Sequence, residues 1–209
     1  VVIDKPEGPT SHDVVSAARR ALGIREIGHT GTLDPMATGV LPLLVGRATR
    51  LARFLAGGDK AYDARVRLGL VTDTWDRTGA IVSETPAGRP LPALDEIADA
   101  ARRLLGERDQ APPPYSAKKV RGTPAHELAR KGREVELRPA RVTLHELEIT
   151  SFEPPLVGVR VRCSAGFYVR ALAHELGRLL GCGACLHALR RTASGEFTLA
   201  RAVTLDELV

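Results

Sequence analysis

Apolar residues recur along this chain with two periods, and the switches between them mark out elements. Val1–Asp4 is a short apolar run that reads as a buried strand. A turn rich in Pro and Gly spans Lys5–Ser11, with Ser11 as the expected N-cap of a helix bearing Val14, Val15, Ala18 and Leu22. Val40–Val45 is a compact apolar run, expected as a buried strand. Ala48–Ala56 has helical spacing, with Leu51, Phe54 and Leu55 apolar, Arg47, Arg50 and Arg53 opposite, and Gly57-Gly58 as the stop. Those arginines fit a solvated face or an RNA surface. Ala61–Leu70 alternates, with Tyr62, Ala64, Val66 and Leu68 on one face and Asp63, Arg65 and Arg67 on the other. A polar turn over Thr72–Gly79 leads to a partner strand at Ala80–Ser83, then a loop at Pro86–Pro92. Leu94, Ile97, Ala98, Ala101, Leu104 and Leu105 give an amphipathic helix.

The second half repeats the alternation. Arg141–Phe152 and Leu156–Ser164 read as strands joined at Glu153-Pro154-Pro155, with Val157, Val159, Val161 and Cys163 on one face and Arg160 and Arg162 on the other. Tyr168–Leu180 reads as a helix, Leu186–Arg191 and Glu196–Leu199 as closing strands, and Thr204–Val209 as the start of a further helix. There is no internal repeat. The expected fold class is α+β: a mixed, largely antiparallel sheet with flanking helices, forming one domain over residues 1–209.

Composition narrows the function classes. The chain has 209 residues, 44% hydrophobic and 26% charged, which is ordinary for a globular protein with a sizeable core. No apolar run reaches about 18 residues, so no membrane partner is expected. No secretory signal is present, and the absence of an initial Met suggests that N-terminal residues are missing from the sequence. Cys182 and Cys185 form a Cys-x-x-Cys with His187 two residues on, half of a zinc site or a redox pair; reduced thiols in a cytoplasmic protein are the favoured reading, with no metal and no cofactor. The net charge of +5 is uneven: residues 111–140 carry seven Lys/Arg against three acids, and residues 160–201 seven against two. After Ala111-Pro112-Pro113-Pro114-Tyr115, the cations at Lys118–Arg121 and a short helix around His126–Lys131 read as a surface insertion that grips phosphates.

Residues 28–39, GHTGTLDPMATG, hold the chain's most suggestive chemistry. One carboxylate, Asp34, sits among Gly28, Gly31 and Gly39, with Pro35 after it to push it out of helical geometry. Such a loop can present a carboxylate at short range to a substrate. A capping Asp in a surface turn is the alternative. Lys5 could be an anion contact or a solvated loop residue.

Several stretches together resemble the TruB-type tRNA pseudouridine synthases, which isomerise uridine 55 in the T loop of tRNA. They are Asp4-Lys5-Pro6-x-Gly8-x-Thr10-Ser11, Gly28-His29-x-Gly31-Thr32-Leu33-Asp34-Pro35-x-Ala37-x-Gly39, and Lys60-x-Tyr62 followed by Arg67-Leu68-Gly69 and Thr72-Asp73-Thr74. Further on come Pro114 to Lys119, Cys163-Ser164-x-Gly166-x-Tyr168-x-Arg170 and Leu189-Arg190-Arg191. The resemblance runs from Ile3 to Leu208. It implies a catalytic role for Asp34, a tyrosine packed on the target base at Tyr62, and an Arg170 that pairs with the carboxylate in the motif begun by Tyr168. It further implies that His29 takes part in opening the T loop, that Leu189 lines the uracil pocket, and that Lys5 shapes the site's edge. Ala165 and Phe167 depart from the family's usual Lys and Thr, so the loop before Tyr168 is expected to meet RNA differently. His174 stands where an acid is common. The chain ends at Val209, before the C-terminal domain of PUA type that full-length relatives carry.

The chemistry agrees with these roles. Making pseudouridine breaks the bond from ribose C1′ to uracil N1, turns the base, and bonds C1′ to C5. A carboxylate can act as nucleophile or stabilise a cationic sugar. Arg170 would keep Asp34 ionised, and the base must be flipped out of its stack. The expected partner is the T stem-loop of tRNA, with no DNA, and the expected state is a monomer. A tRNA-binding chaperone that folds the tRNA elbow is the alternative function; a guide-RNA-dependent, dyskerin-like enzyme ranks below it.

Overall fold

The computed structural model describes residues 1–116 and 138–208, with the backbone of two short strands between them. Lys118, Arg121 and the short helix expected around His126–Lys131 lie outside the described residues. In chain order the elements begin with β1 Val2–Lys5, α1 Ser11–Leu22, β2 Ile27–His29 and β3 Thr38–Val45. A 3-10 segment Gly46–Leu51, α2 Ala52–Leu55, β4 Lys60–Leu68, β5 Leu70–Thr72, β6 Ile81–Glu84, α3 Leu94–Arg102 and β7 Gly106–Gln110 follow. After β8 Lys119–Val120 and β9 Thr123–Pro124 come β10 Ala140–Glu153, β11 Leu156–Cys163, α4 Val169–Leu179, β12 Ala184–Ser194, β13 Phe197–Thr198, β14 Val203–Thr204 and α5 Leu205–Leu208. The fold is α+β, with strands paired in both senses. No helix among the described residues is long and apolar enough to cross a membrane.

The chain groups into two compact units, and the divisions fall within β4, β11 and β12. The first comprises Val1–Asp63, Arg162–Ala165 and Leu189–Val209. In it β1 runs antiparallel to β3, with Lys5 opposite Gly39, and parallel to β14. The end of β12 lies parallel to β3, with Arg191 opposite Gly39. β2 pairs antiparallel with the far end of β3. Helix α1 turns Val14, Val15 and Ala18 inward to join Ile3, Leu33, Ala37, Val40 and Leu41 in the core. Its N-cap is Thr10 and not Ser11: Thr10 and Asp13 form a capping box that satisfies two amides at the helix start. Ser11 is thereby freed for a contact described below.

The second unit comprises Ala64–Val161 and Gly166–Ala188. Its strands β11, β10 and β7 are neighbours, β7 antiparallel to β10. Helices α3 and α4 are amphipathic, with Ile97 and Ala101 of the first and Leu172 and Leu176 of the second in the core. Leu94 and Leu105, expected on the apolar face of α3, are instead exposed: the helix spans only Leu94–Arg102, so Leu94 sits at its first turn and Leu105 beyond its end. Gly177 on α4 permits close helix–strand contact, since a Cβ there would lie 2.1 Å from the backbone nitrogen of Ala184. The alternating faces of β4 and β11 are as the sequence suggests, but β7, with no alternation of apolar residues, was not legible.

The segment expected as a helix over Ala48–Ala56 is a 3-10 stretch followed by a single α-turn. Three-residue winding rotates side chains off the positions that a 3.6-residue period assigns. Leu51 and Phe54 are therefore not core residues; they are 51% and 66% exposed, and the Arg53 guanidinium lies 4.6 Å from the Phe54 ring centre.

Gly39 has φ of +100°, and a Cβ there would fall 2.2 Å from the carbonyl oxygen of Arg191. Neither the conformation nor the space admits a side chain. Gly39→Ala should destabilise the protein by about 2–3 kcal/mol in denaturant unfolding. A loss under about 0.5 kcal/mol, the size of an ordinary surface substitution, would show that β3 and β12 tolerate separation.

Candidate active site

The carboxylate loop lies between β2 and β3, and its backbone is fixed on both sides of Asp34. On the upstream side, the Ser11 hydroxyl donates to the Leu33 carbonyl at 3.0 Å and accepts from the Leu33 amide at 2.8 Å. Downstream, the Ala37 amide donates to the Asp34 carbonyl at 3.0 Å and closes a turn over Pro35. Leu33, Met36 and Ala37 are buried and anchor the loop in the first unit's core, leaving Asp34 half-buried.

Two buried cations complete the loop. Lys5 is fully buried, and its ammonium donates to the carbonyls of Pro6, Pro35 and Ala37 at 2.9, 3.3 and 2.7 Å. It is therefore not a solvated loop residue; it holds the backbone that follows Asp34. Arg191, 1% exposed, donates from Nε to the Val40 carbonyl at 2.7 Å and from its terminal nitrogens to Thr32 and Gly31 carbonyls at 3.5 and 3.0 Å. Beside it, Arg190 reaches both carboxylate oxygens of Asp4 at 3.0 and 2.6 Å, tying β12 to β1.

The electrostatics of the first unit place the expected residues in one cluster. Burial lowers the Lys5 pKa to about 8, against the opposing pull of the Asp34 and Glu7 charges and with a further push from Arg191. Burial raises the Tyr62 phenol to about 12, while the Arg191 guanidinium acts to lower it and Asp34 to raise it. Tyr62 is thus a protonated phenol at neutral pH, on the inward face of β4. His29 ends β2, half-buried, and burial followed by the charges of Arg191 and His12 lowers its pKa, which favours neutral imidazole. Its Nδ1 is buried with no hydrogen-bond partner among the described residues. Leu189, buried on β12, has the same strand parity as Arg191 and so shares its face.

Tyr168 and Arg170 belong to the second unit. Tyr168 is the N-cap of α4, and the buried Gln110 side chain grips its backbone reciprocally: the Tyr168 amide donates to Oε1 at 2.8 Å and Nε2 donates to the Tyr168 carbonyl at 3.2 Å. Arg170 is buried on the first turn of α4, donating to the carbonyls of Thr74 and Tyr115 at 3.0 and 2.9 Å. It also faces the Asp76 carboxylate at 3.6 Å. That carboxylate accepts from the Thr74 hydroxyl at 2.9 Å and from the Thr78 amide and hydroxyl at 2.9 and 2.6 Å. Sequence reading missed Asp76, Gln110 and the anchoring role of Arg191. The only available signal for Asp76 was its place between Thr74 and Thr78, polar residues that can fold back onto it.

Other sequence features resolve into structural roles. Phe167, a departure from the family pattern, is buried. His174 stacks flat on Trp75, with ring centres 4.4 Å apart. Burial raises the Cys163 and Cys185 thiols to about 12 and 11, so neither is a ready thiolate.

Comparison with known proteins agrees with this architecture. Solved chains in a Cbf5–Nop10–Gar1 complex and in the archaeal box H/ACA sRNP Nop10–Cbf5 complex match with TM-scores of 0.76 and 0.73, each at 32% identity. The alignments cover 98% and 100% of this chain and 52% of each of those chains, so it spans about half their length. The fold is thus that of a pseudouridylate-synthase catalytic region. Residues 19–169 match the TruB family pseudouridylate synthase N-terminal domain, and residues 170–209 the tRNA pseudouridylate synthase B C-terminal domain. The tRNA pseudouridine synthase B of Symbiobacterium thermophilum is 53% identical over 207 residues, 98% of this chain and 69% of that protein. The protein of the same name from Azoarcus sp. strain BH72 is 50% identical over 208 residues, 100% and 68%. The chain belongs to the TruB family of pseudouridylate synthases.

The depressed Lys5 pKa carries a stability signature. The folded state releases this proton near pH 8 and the unfolded chain near the ordinary lysine value, so between them the unfolded state binds more protons. Stability from this group therefore rises as pH climbs through that window. Unfolding free energies of the wild type and Lys5→Met, measured from pH 7 to about 10.5, should show their difference moving in favour of the wild type. A constant difference would mean that Lys5 titrates as an ordinary exposed lysine.

Proposed function

We propose that this protein converts uridine 55 in the T loop of tRNA to pseudouridine, with Asp34 as the catalytic carboxylate. The observation that supports this reading most is the construction around Asp34: a half-buried carboxylate on a loop whose backbone is pinned by Ser11, Lys5 and Arg191. A turn serving only to reverse the chain needs no such support. Preorganisation of this kind suits a group that must meet a sugar carbon at short range.

The reaction breaks C1′–N1, rotates the uracil within the site and forms C1′–C5. The carboxylate stabilises the electron-poor sugar or bonds to the nucleotide while the base turns. No group enters or leaves, so a single carboxylate suffices where a glycosidase uses two. Tyr62 packs on the base, Leu189 lines the uracil pocket, and the neutral His29 serves in opening the T loop. The role of Arg170 in keeping the carboxylate ionised, and that of Tyr168 beside it in sequence, rest on the sequence motif. The enzyme works as a cytoplasmic monomer on the T stem-loop, with the cation-rich insertion around residues 111–140 contributing phosphate contacts.

The test is pseudouridine formation in an unmodified T stem-loop RNA, with the modified position mapped. The intact protein should modify uridine 55, and Asp34→Asn should form no detectable product while binding the RNA with affinity within about threefold, since it removes a charge from the reaction and not from phosphate contacts. Product at another position would sink the site assignment. Full turnover by Asp34→Asn would remove the carboxylate from the chemistry and favour the chaperone reading.

A further inference from the structure

Trp75 has an unusual backbone for its type. Its φ is +62°, in the left-handed region, where the Cβ of an L residue crowds the following carbonyl and a bulky residue is an outlier. That torsion sets the direction of the Thr74 carbonyl relative to the Trp75 carbonyl, and both are in use. The Thr74 carbonyl accepts from the Arg170 guanidinium at 3.0 Å, and the Trp75 carbonyl accepts from the Leu186 amide of β12 at 3.0 Å. A return to negative φ would turn one of them away from its donor. The unfavourable conformation is thus tied to a contact that holds Arg170, and surrounding contacts must offset it.

His174 supplies such a contact. Its ring lies flat on the Trp75 indole, with planes 5° apart and centres 4.4 Å apart. His174 follows Arg170 by four residues on α4, so the two side chains leave the same helix face and meet the same loop. Nδ1 of His174 is buried with no hydrogen-bond partner among the described residues, so on that edge the ring is held by its face and not by a hydrogen bond. Burial and then the Arg178 charge lower its pKa against the pull of Glu175, which favours the neutral ring. The acid that the family commonly has at this position could not make this contact.

We propose that Trp75 and His174 are positioning residues for the reaction: their stack holds the Thr74 carbonyl on the Arg170 guanidinium and so sets where Arg170 presents its charge. What that charge does in catalysis rests on the function proposed above. The link from stack to guanidinium rests on the contacts within the second unit alone.

Hydrogen exchange at the Arg170 guanidinium, read by NMR on arginine-labelled protein without RNA, tests that link. Loss of the ring in His174→Ala should speed exchange at Arg170 about fivefold to tenfold, as an aromatic pair is worth. Arg191, in the other unit, should stay within about twofold. His174→Phe keeps a flat ring and should bring Arg170 back to within about twofold of the wild type. Should His174→Ala fail to fold, His174→Leu fills the space without a ring and takes its place. Exchange at Arg170 unmoved by loss of the ring, or raised equally at Arg191, overturns the proposal.

Glycine adopts the left-handed conformation freely, so Trp75→Gly removes both the ring and the strain that the ring's stack offsets. In that background His174→Ala should change Arg170 exchange by less than about twofold. Losses that simply multiply would show that His174 does not act through Trp75. Single-turnover pseudouridine formation at saturating RNA should fall about fivefold to tenfold for His174→Ala, with RNA affinity within about twofold, and should recover in His174→Phe. A loosened Arg170 with unchanged turnover overturns the positioning role. Absence of pseudouridine from the intact protein would instead count against the proposed function, and the exchange measurement would still decide whether the stack holds Arg170.

Discussion

The Asp34 loop exists because buried cations satisfy its backbone. Lys5 and Arg191 donate to the carbonyls of Gly31, Thr32, Pro35 and Ala37 in the loop and of Val40 at the start of β3. Buried carbonyls without partners are costly, and buried cations are costlier still. Each cost offsets part of the other. The Asp34 and Glu7 charges offset a further part for Lys5, although burial still wins and lowers its pKa. Loop shape and carboxylate charge are therefore one arrangement. The group proposed to do the chemistry is also part of the electrostatic support of the loop that presents it.

The second unit solves the same problem with the signs exchanged. There a buried carboxylate, Asp76, satisfies Thr74 and Thr78 and faces the Arg170 guanidinium, which in turn holds the carbonyls of Thr74 and Tyr115. Gln110 does for the Tyr168 backbone what Ser11 does for Leu33, donating and accepting at one residue. In both units a long or paired polar side chain from a regular element reaches into an irregular segment and sets its backbone. Polar satisfaction of their backbone groups is what lets such segments hold one conformation.

Much of the fold could be read in advance, and the failures have physical causes. Strand β4 was legible because Tyr62, Ala64, Val66 and Leu68 alternate with polar residues, and a period of two has one structural meaning. Strand β7, Gly-Glu-Arg-Asp-Gln, has no apolar face to alternate; it pairs with β10 through its backbone and through ion pairs of Glu107 and Asp109 with Arg141, so composition concealed it. Leu51 and Phe54 misled because their spacing fits one α-helix, while the chain winds as 3-10 up to Leu51 and makes only a single α-turn around Phe54. Among the candidate residues, Asp34, Tyr62 and Arg170 stood out through a family resemblance carried by ordered motifs. Lys5 and Arg191 were visible as letters of those motifs, but hydropathy assigns charged side chains to the surface. Only coordinates show that both are buried and that their donors end on the loop.

That distinction bears on how the site works. The residues easiest to recognise are those whose chemistry the proposed reaction names. Those that hold them are recognisable only by what they touch. Tyr62 illustrates the difference. Burial makes its phenol harder to ionise. The Arg191 charge opposes that effect in part, and the same guanidinium grips Gly31 and Thr32.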